Sequence, residues 1–426
     1  MAKNKALKKE EALFADIIGY ESVKKKLVQY CDMVCNPEVY RKLNVKIPHG
    51  VLLFGANNDV KTSMAYDLVI ACGGKLYTLD GGHTDDMFCD EMTKTFEEVD
   101  DREERSVILI ENLTRFGTRE ENSYIYEILS GLMPFFTNTE KDCFIIATVS
   151  GSKMIPKYLF RENTFEYVIK INYPTREDTK NIVNYYAEQY PVASDVNMED
   201  IYNLMFEDTY EDILQVFNTA ARYVGFDRRK EITTEDFVRA YIYENDNAEF
   251  TEKPIETSAW HEAGHLVACE LLEPGCVNFA YIAMGDGTNG CVSRSMGLST
   301  NQLVITTLAG KAALELQFGM EYEGSSFDVK KARDCLFEAI YKNGAYGFLG
   351  FEATSEVRDS DYSTFERETI VRAELQRKLL MTQRILAQNF EFLKKTANAL
   401  LEKPYLLSSD IEKIRNSCTI HPIEEE

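Results

Sequence analysis

Between residues 17 and 174, short apolar runs alternate with polar stretches long enough for a helix. The runs are Val51-Leu52-Leu53-Phe54, Lys75-Leu76-Tyr77-Thr78-Leu79, Val107-Ile108-Leu109-Ile110, Phe144-Ile145-Ile146-Ala147 and Tyr167-Val168-Ile169-Lys170-Ile171. Continuous runs of this kind predict strands buried on both faces, hence a parallel sheet with helices on either side. From Pro174 to Asp246 the strand signal disappears, and segments such as Arg176–Val183 and Tyr210–Phe217 suit short helices. The polar stretch Glu244–Glu249 reads as a linker. The remainder is predicted to be mainly helical and ends in a long amphipathic pattern from Asp361 to Lys403. The expected division is a tail at 1–15, an α/β segment at 16–174, a small helical segment at 175–247 and a mainly helical domain at 248–426.

Charge narrows the function classes. Lys and Arg total 47 against 70 Asp and Glu, a formal charge of −23. A field of that sign repels polyanions, so a nucleic-acid partner is not expected. The ten cysteines are dispersed and form no C-x-x-C pair, which fits a reducing compartment and mostly inert thiols. No apolar h-region follows the basic N-terminal residues, and no run approaches the ~18–20 apolar residues that span a bilayer. The expectation is a soluble, cytoplasmic protein.

The strongest chemical signal is His261-Glu262-Ala263-Gly264-His265. Histidines four apart on a helix share one face and can reach one metal ion, and the glutamate between them is placed to act as a general base on water. Thr257 or Ser258 is expected to cap this helix and Glu273-Pro274-Gly275 to end it. A hydrolytic zinc takes three protein ligands and leaves a fourth position open. The other histidines, His49, His83 and His421, lie far off in the chain. A downstream carboxylate is therefore expected, and composition does not choose among Glu315, Glu321, Glu323 and Asp328.

From Ser258 onward the sequence resembles the peptidase domain of the FtsH family of membrane AAA+ zinc proteases. The likeness runs through His261–His265, Leu308–Gly319, Gly324-Ser325-Ser326-Phe327-Asp328 and Asn389–Ile414. In the family the aspartate closing T-G-A-S-x-D is the third zinc ligand, which implies Asp328. Glu323 and Ser325 replace the family's threonine and alanine. Glu315 matches an acidic family position, either beside the ligands or in a helix salt bridge. Upstream, Asp16–Tyr20 and Pro48–Gly55 resemble the start of an AAA+ module. The implied fold is an α/β AAA+ module, a parallel sheet with helices on both faces, plus a small helical lid and a mainly α-helical zinc metallopeptidase domain. Only about fifteen residues precede the module, so the family's usual membrane-spanning segments are not expected.

The nucleotide motifs are degenerate. The phosphate-loop pattern falls on Gly55–Thr62, retaining Gly55, Lys61 and Thr62, with Val60 where the second glycine belongs and Asn58 replacing another. A β-branched residue is a poor substitute if φ must be positive, and Asp59 adds negative charge to an anion-binding loop. The acidic pair of the next motif reads Glu111-Asn112, and Val149 replaces the sensor asparagine. The family's arginine fingers align with Thr164 and Tyr167, Arg161 matching only the preceding arginine. With these parts missing together, ATP hydrolysis is not expected, and ATP or ADP would be held at most weakly through Lys61 and Thr62.

The resemblance thus implies a soluble FtsH-like zinc metallopeptidase acting on peptides or unfolded proteins. Zn2+ is held by His261, His265 and Asp328, Glu262 activates water, and the chain forms a homo-oligomer, by analogy a hexamer. Two alternatives stand beside it: a non-catalytic assembly or regulatory protein with a structural zinc, and an ATP-driven protease with an atypical nucleotide site. Among smaller features, Gly81–Phe88 reads as a solvated loop with Phe88 as its only candidate for gripping substrate. Trp260 is expected to pack the motif helix, and Asn289–Ser293 to close a hairpin whose edge strand could align substrate.

Overall fold

The computed structural model describes residues 13–55, 58–81, 85–100, 104–113, 142–150, 165–246, 255–282, 290–293, 297–319, 325–341 and 361–423. Contacts gather the chain into two units, one of residues 1–191 with 207–218, the other of 192–206 with 219–426. Residues 175–247 are thereby shared between them.

The first unit begins with helices α1 (Glu21–Cys35) and α2 (Pro37–Arg41). Strand β1 (Gly50–Gly55), helix α3 (Asn58–Cys72), β2 (Lys75–Asp80), α4 (Asp85–Asp100), β3 (Ser106–Glu111), β4 (Cys143–Ser150) and β5 (Tyr167–Lys170) follow. The five strands form one sheet in the order β2-β3-β4-β1-β5, and every pairing is parallel. All five apolar runs became strands; the central β1, β3 and β4 are buried along their length, whereas the edge strands β2 and β5 keep exposed positions. Val51, Leu53, Val107, Leu109, Phe144 and Ile146 join one core with α1 and α3. Their neighbours Leu52, Ile108, Ile110, Ile145 and Ala147 join a second core with Phe88, Met92 and Phe96 of α4. Phe88 is thus a fully buried helix residue, neither a solvated loop position nor a substrate contact. Residues 82–84 of that stretch lie outside the described residues.

Four helices follow: α5 (Arg176–Ala187), α6 (Met198–Leu204), α7 (Tyr210–Phe226) and α8 (Thr234–Asp246). The start of α5 is a capping box in which Thr175 and Asp178 satisfy each other's backbone N–H groups. In the second unit, Asp200 of α6 is buried and accepts from Ser408 Oγ at 2.8 Å, Ser409 N at 2.9 Å and Ser409 Oγ at 2.7 Å.

The second unit continues with α9 (Glu256–Leu272), β6 (Val277–Tyr281), β7 (Gly290–Ser293), α10 (Thr300–Phe318), α11 (Ser326–Tyr341), α12 (Asp361–Gln388), α13 (Phe390–Glu402), β8 (Tyr405–Leu407) and α14 (Ser408–Asn416). Its strands form a small antiparallel sheet in the order β7-β6-β8, in which β7 is the edge strand expected at Asn289–Ser293 and β8 an addition to the mainly helical reading of 248–426. The long pattern from 361 to 403 is two helices. They break at Asn389, whose side-chain amide donates to Ile385 O at 3.1 Å and His421 O at 3.0 Å, while its Oδ1 accepts from His421 N. Among the described residues no helix is long and apolar enough to cross a membrane.

Candidate metal centre

Helix α9 carries the histidine pair. Its N-cap is Ile255, without a side-chain cap, because the helix starts at Glu256 and takes Thr257 and Ser258 into its first turn. Its end follows the expectation: Glu273 is the C-cap, and buried Glu270 accepts from Gly275 N at 2.8 Å and Val277 N at 3.0 Å, setting the turn into β6. Trp260 is buried and packs against Phe318 and Phe390, as its packing role requires.

Helix α10 packs closely across α9, and two glycines permit it. A Cβ on Gly264 would lie 2.3 Å from Ala309 O, and one on Gly310 would lie 2.5 Å from His265 Nε2 and 2.7 Å from His261 Nδ1. No side chain fits at either position without a shift. The first turn of α11 brings in Asp328.

His261, His265 and Asp328 each offer one ligand atom, all within 4.8 Å of one another, the one such group among the described residues. The two Nε2 atoms are 3.1 Å apart, and Asp328 Oδ2 lies 3.1 Å from His261 Nε2 and 3.5 Å from His265 Nε2. His265 Nδ1 is 2.8 Å from the Thr306 carbonyl. A carbonyl only accepts, so Nδ1 carries a proton, and the neutral ring would turn its Nε2 lone pair toward a cation. His261 Nδ1 faces the hydroxyl of Ser325 at 3.5 Å, and Ser325 is buried. Two imidazoles and a carboxylate are the donor set a catalytic zinc takes, and the fixed tautomer of His265 fits that ion. The three side chains retain 16, 17 and 20 % of their exposure, so solvent can reach the group, unlike a closed structural site.

Electrostatics follow from burial and proximity. Burial pushes the Glu262 carboxyl above its ordinary value, against the opposing pull of His265 and His261. Burial would also raise Asp328, but hydrogen bonds from His261 and His265 more than reverse it and hold the carboxyl below the usual carboxylate range. For His265 burial lowers, and the Asp328 hydrogen bond with the Glu262 charge raises further, leaving it raised.

Glu315 stands apart. It pairs with Lys311 at 2.8 Å and accepts from the Gln383 amide, so its helix salt bridge is the reading the geometry carries. Glu321 and Glu323 lie outside the described residues.

At the ends of β1 and β4, the phosphate-loop lysine points inward. Lys61 is 2 % exposed, and its Nζ donates to the carbonyls of Gly55 and, at 2.7 Å, Val149. Burial lowers it to about 8. Val60 lies inside α3 and in the apolar core, and it is not among the positive-φ residues. The helix begins at Asn58, so Val60 carries no backbone strain; what it adds is an apolar side chain turned to the core. Thr62 is half-buried in the same helix. Asp59 is exposed in the first turn of α3, and its carboxyl hydrogen-bonds Glu211, which is raised for that reason. Glu111 Oε2 accepts from Tyr66 OH at 3.4 Å, and Asn112 takes positive φ with its N–H on Thr148 Oγ1. Tyr167, at one arginine-finger position, lies on β5 with its OH toward Met33, while Arg161 and Thr164 lie outside the described residues.

Known proteins agree with this layout. The family described as "ATPase family associated with various cellular activities (AAA)" matches residues 51–173. An ATP-dependent zinc metalloprotease FtsH of Caldicellulosiruptor bescii is 22% identical over 95% of this chain and 72% of its own length. One of Lachnoclostridium phytofermentans is 24% identical over 97% and 76% respectively. An FtsH 2 of Sphaerobacter thermophilus is 23% identical over 94% and 66%. Over most of its length the chain is similar to FtsH zinc metalloproteases.

Within the FtsH pattern, Ser325 occupies the alanine position of T-G-A-S-x-D and brings a hydroxyl to His261 that an alanine lacks. Thr306 could not be found from the sequence, because it acts through its carbonyl and any residue type supplies one. Gly310 lies within the FtsH-like run Leu308–Gly319, but only the helix crossing reveals its closeness to both imidazoles.

Proposed function

We propose that this chain is an FtsH-like zinc-dependent endopeptidase for peptides and unfolded protein segments, with an AAA+ module that no longer hydrolyses ATP. The observation that carries the reading is the convergence of His261, His265 and Asp328 beside the buried carboxyl of Glu262. Zinc, when bound, supplies Lewis acidity toward a peptide carbonyl and toward water. His261 and His265 present Nε2 from one face of α9, and Asp328 adds a negative charge that offsets the cation. Glu262 takes the proton from the attacking water and returns it to the leaving amine; its raised affinity for a proton suits the second step as well as the first. Edge strand β7, beside β6, offers backbone groups for an extended substrate segment. Asn289, the expected turn residue, lies outside the described residues.

The loss of ATP hydrolysis is supported by Lys61, whose ammonium is taken up by two carbonyls, and by the Asp59–Glu211 carboxyl pair where phosphate would need positive surroundings. Subunits would associate into a homo-oligomer, by family analogy a hexamer. Digestion of an unfolded protein by wild type and Glu262→Gln, each with and without a zinc chelator, tests the proposal. Cleavage by wild type alone, abolished by the chelator, supports it; equal cleavage by Glu262→Gln overturns it.

A further inference from the structure

Helix α11 presents two stripes of different character. Ala332, Leu336, Ala339 and Ile340 are buried, and Asp328 continues their stripe to the metal centre. Phe327, Lys330, Lys331, Asp334 and Glu338 recur at the same helical spacing, about 100° round the axis. Together with Phe337 they line an open groove of about 580 Å³. That lies within the ~300–1,000 Å³ of ordinary ligand pockets. The groove is continuous with the metal centre, because Phe327 is the chain neighbour of the ligand Asp328. Phe327 is 76 % exposed, so its ring does little for the core and offers an apolar surface beside the ligands.

Charge divides the groove. Lys330 and Lys331, both exposed, stand about 4.5–6 Å along the axis from Phe327. Asp334 is offset by Arg333, whose Nη2 lies 3.1 Å away, and Glu338 stands about 16 Å from Phe327 along the axis. The half nearest the metal centre is therefore positive, in a chain whose net charge is −23. The whole length matches about five residues of extended chain at ~3.3 Å each, and the lysines stand about two such residues from Phe327.

We propose that this groove is a substrate subsite, resting on the zinc-endopeptidase reading above. It takes the extended segment on one side of the scissile bond, with an aromatic or branched aliphatic side chain against Phe327 and an acidic side chain about two positions away against Lys330 and Lys331. Backbone pairing on β7 is indifferent to sequence, so the groove is what discriminates among substrates.

The test uses fluorescent decapeptides in which Glu or Lys stands two positions before or after a single Phe. Anisotropy with the zinc-loaded full chain carrying Glu262→Gln reads binding without turnover, and wild type reads kcat and KM. In one of the two orders the Glu peptide should bind roughly 2–10-fold tighter than its Lys counterpart, a preference that fades with salt. The double variant Lys330→Glu with Lys331→Glu should reverse the preference. Phe327→Ala should weaken binding severalfold and raise KM with kcat unchanged, the signature of lost uniform binding. Circular dichroism verifies that each variant is folded. A Glu-over-Lys preference that is absent, or that survives the double charge reversal, overturns the proposal. Cleavage by wild type without that preference therefore removes the groove and leaves the endopeptidase reading standing; preferential binding without cleavage does the converse.

Discussion

Ser325 and Thr306 orient the two imidazoles, but by different means. The Thr306 carbonyl is part of the helix backbone and survives any substitution, whereas the Ser325 hydroxyl can be removed. Ser325→Ala should therefore lower zinc affinity by about 10–100-fold with little change in melting temperature, as competition with a chromophoric chelator would measure. Undiminished affinity would leave the ring of His261 held by packing against Gly310 alone. Lys61 supports a prediction about pH. Its ordinary value of 10.5 falls to about 8 in the folded chain, so the unfolded chain binds the extra proton between those values. Stability should rise as pH increases from about 8 to 10.5 and be lost again as pH falls through about 8. The swing is about 3 kcal/mol. Urea unfolding at both ends of that window, with Lys61→Met as the reference that lacks the swing, checks the sign.

At the scale of elements, the crossing of α9 and α10 is the determinant of the centre. Two glycines let the helices approach until backbone meets imidazole, and neither can gain a methyl group without displacing atoms that are themselves close-packed. Gly264→Ala should destabilise by about 1–3 kcal/mol, because its Cβ would meet the rigid Ala309 backbone. Gly310→Ala should be the more damaging to zinc, because its Cβ would meet the ligand rings. Paired denaturation and metal-affinity measurements separate the two effects; equal loss of both quantities in both variants would deny the distinction.

For the whole molecule, the question is whether the α/β unit powers the zinc cleft. Phosphoryl transfer depends on positioning and charge, and an arginine finger alone contributes ~10³–10⁵ in rate. Lys61 is engaged by carbonyls, and carboxyls stand beside the loop. Cleavage of unfolded substrate should accordingly be indifferent to ATP, and a stably folded reporter should resist while its destabilised variant is cut, since only segments that open spontaneously reach the cleft. Running both reporters with ATP and with a non-hydrolysable analogue decides it; ATP-dependent loss of the stable reporter alone would show a working motor. Glu262→Gln should lose about 10²–10⁴-fold in peptide turnover while keeping its zinc, read by peptide kinetics alongside metal analysis.

Local pattern alone determined the five parallel strands: the central three are apolar throughout because they are buried on both faces, and the edge strands β2 and β5 carry apolar residues with exposed positions between them. It also determined the histidine pair with Glu262, since helical periodicity makes i and i+4 neighbours before any tertiary contact exists. The hairpin at Asn289–Ser293 pointed to edge strand β7, but β6 and β8 escaped because isolated runs of three to five residues carry little periodicity beside strong helical neighbours. Spacing left the third ligand open among four carboxylates, and likeness to the FtsH pattern was needed to single out Asp328. Only the tertiary structure decided that Asp328 meets both imidazoles, that Phe88 lies in the core, that Glu315 answers Lys311 and Gln383, and that Lys61 bonds two strand ends. Each of these depends on elements far apart in the chain coming to one place. A side chain's local sequence states what it can bond, and the fold alone states what it meets.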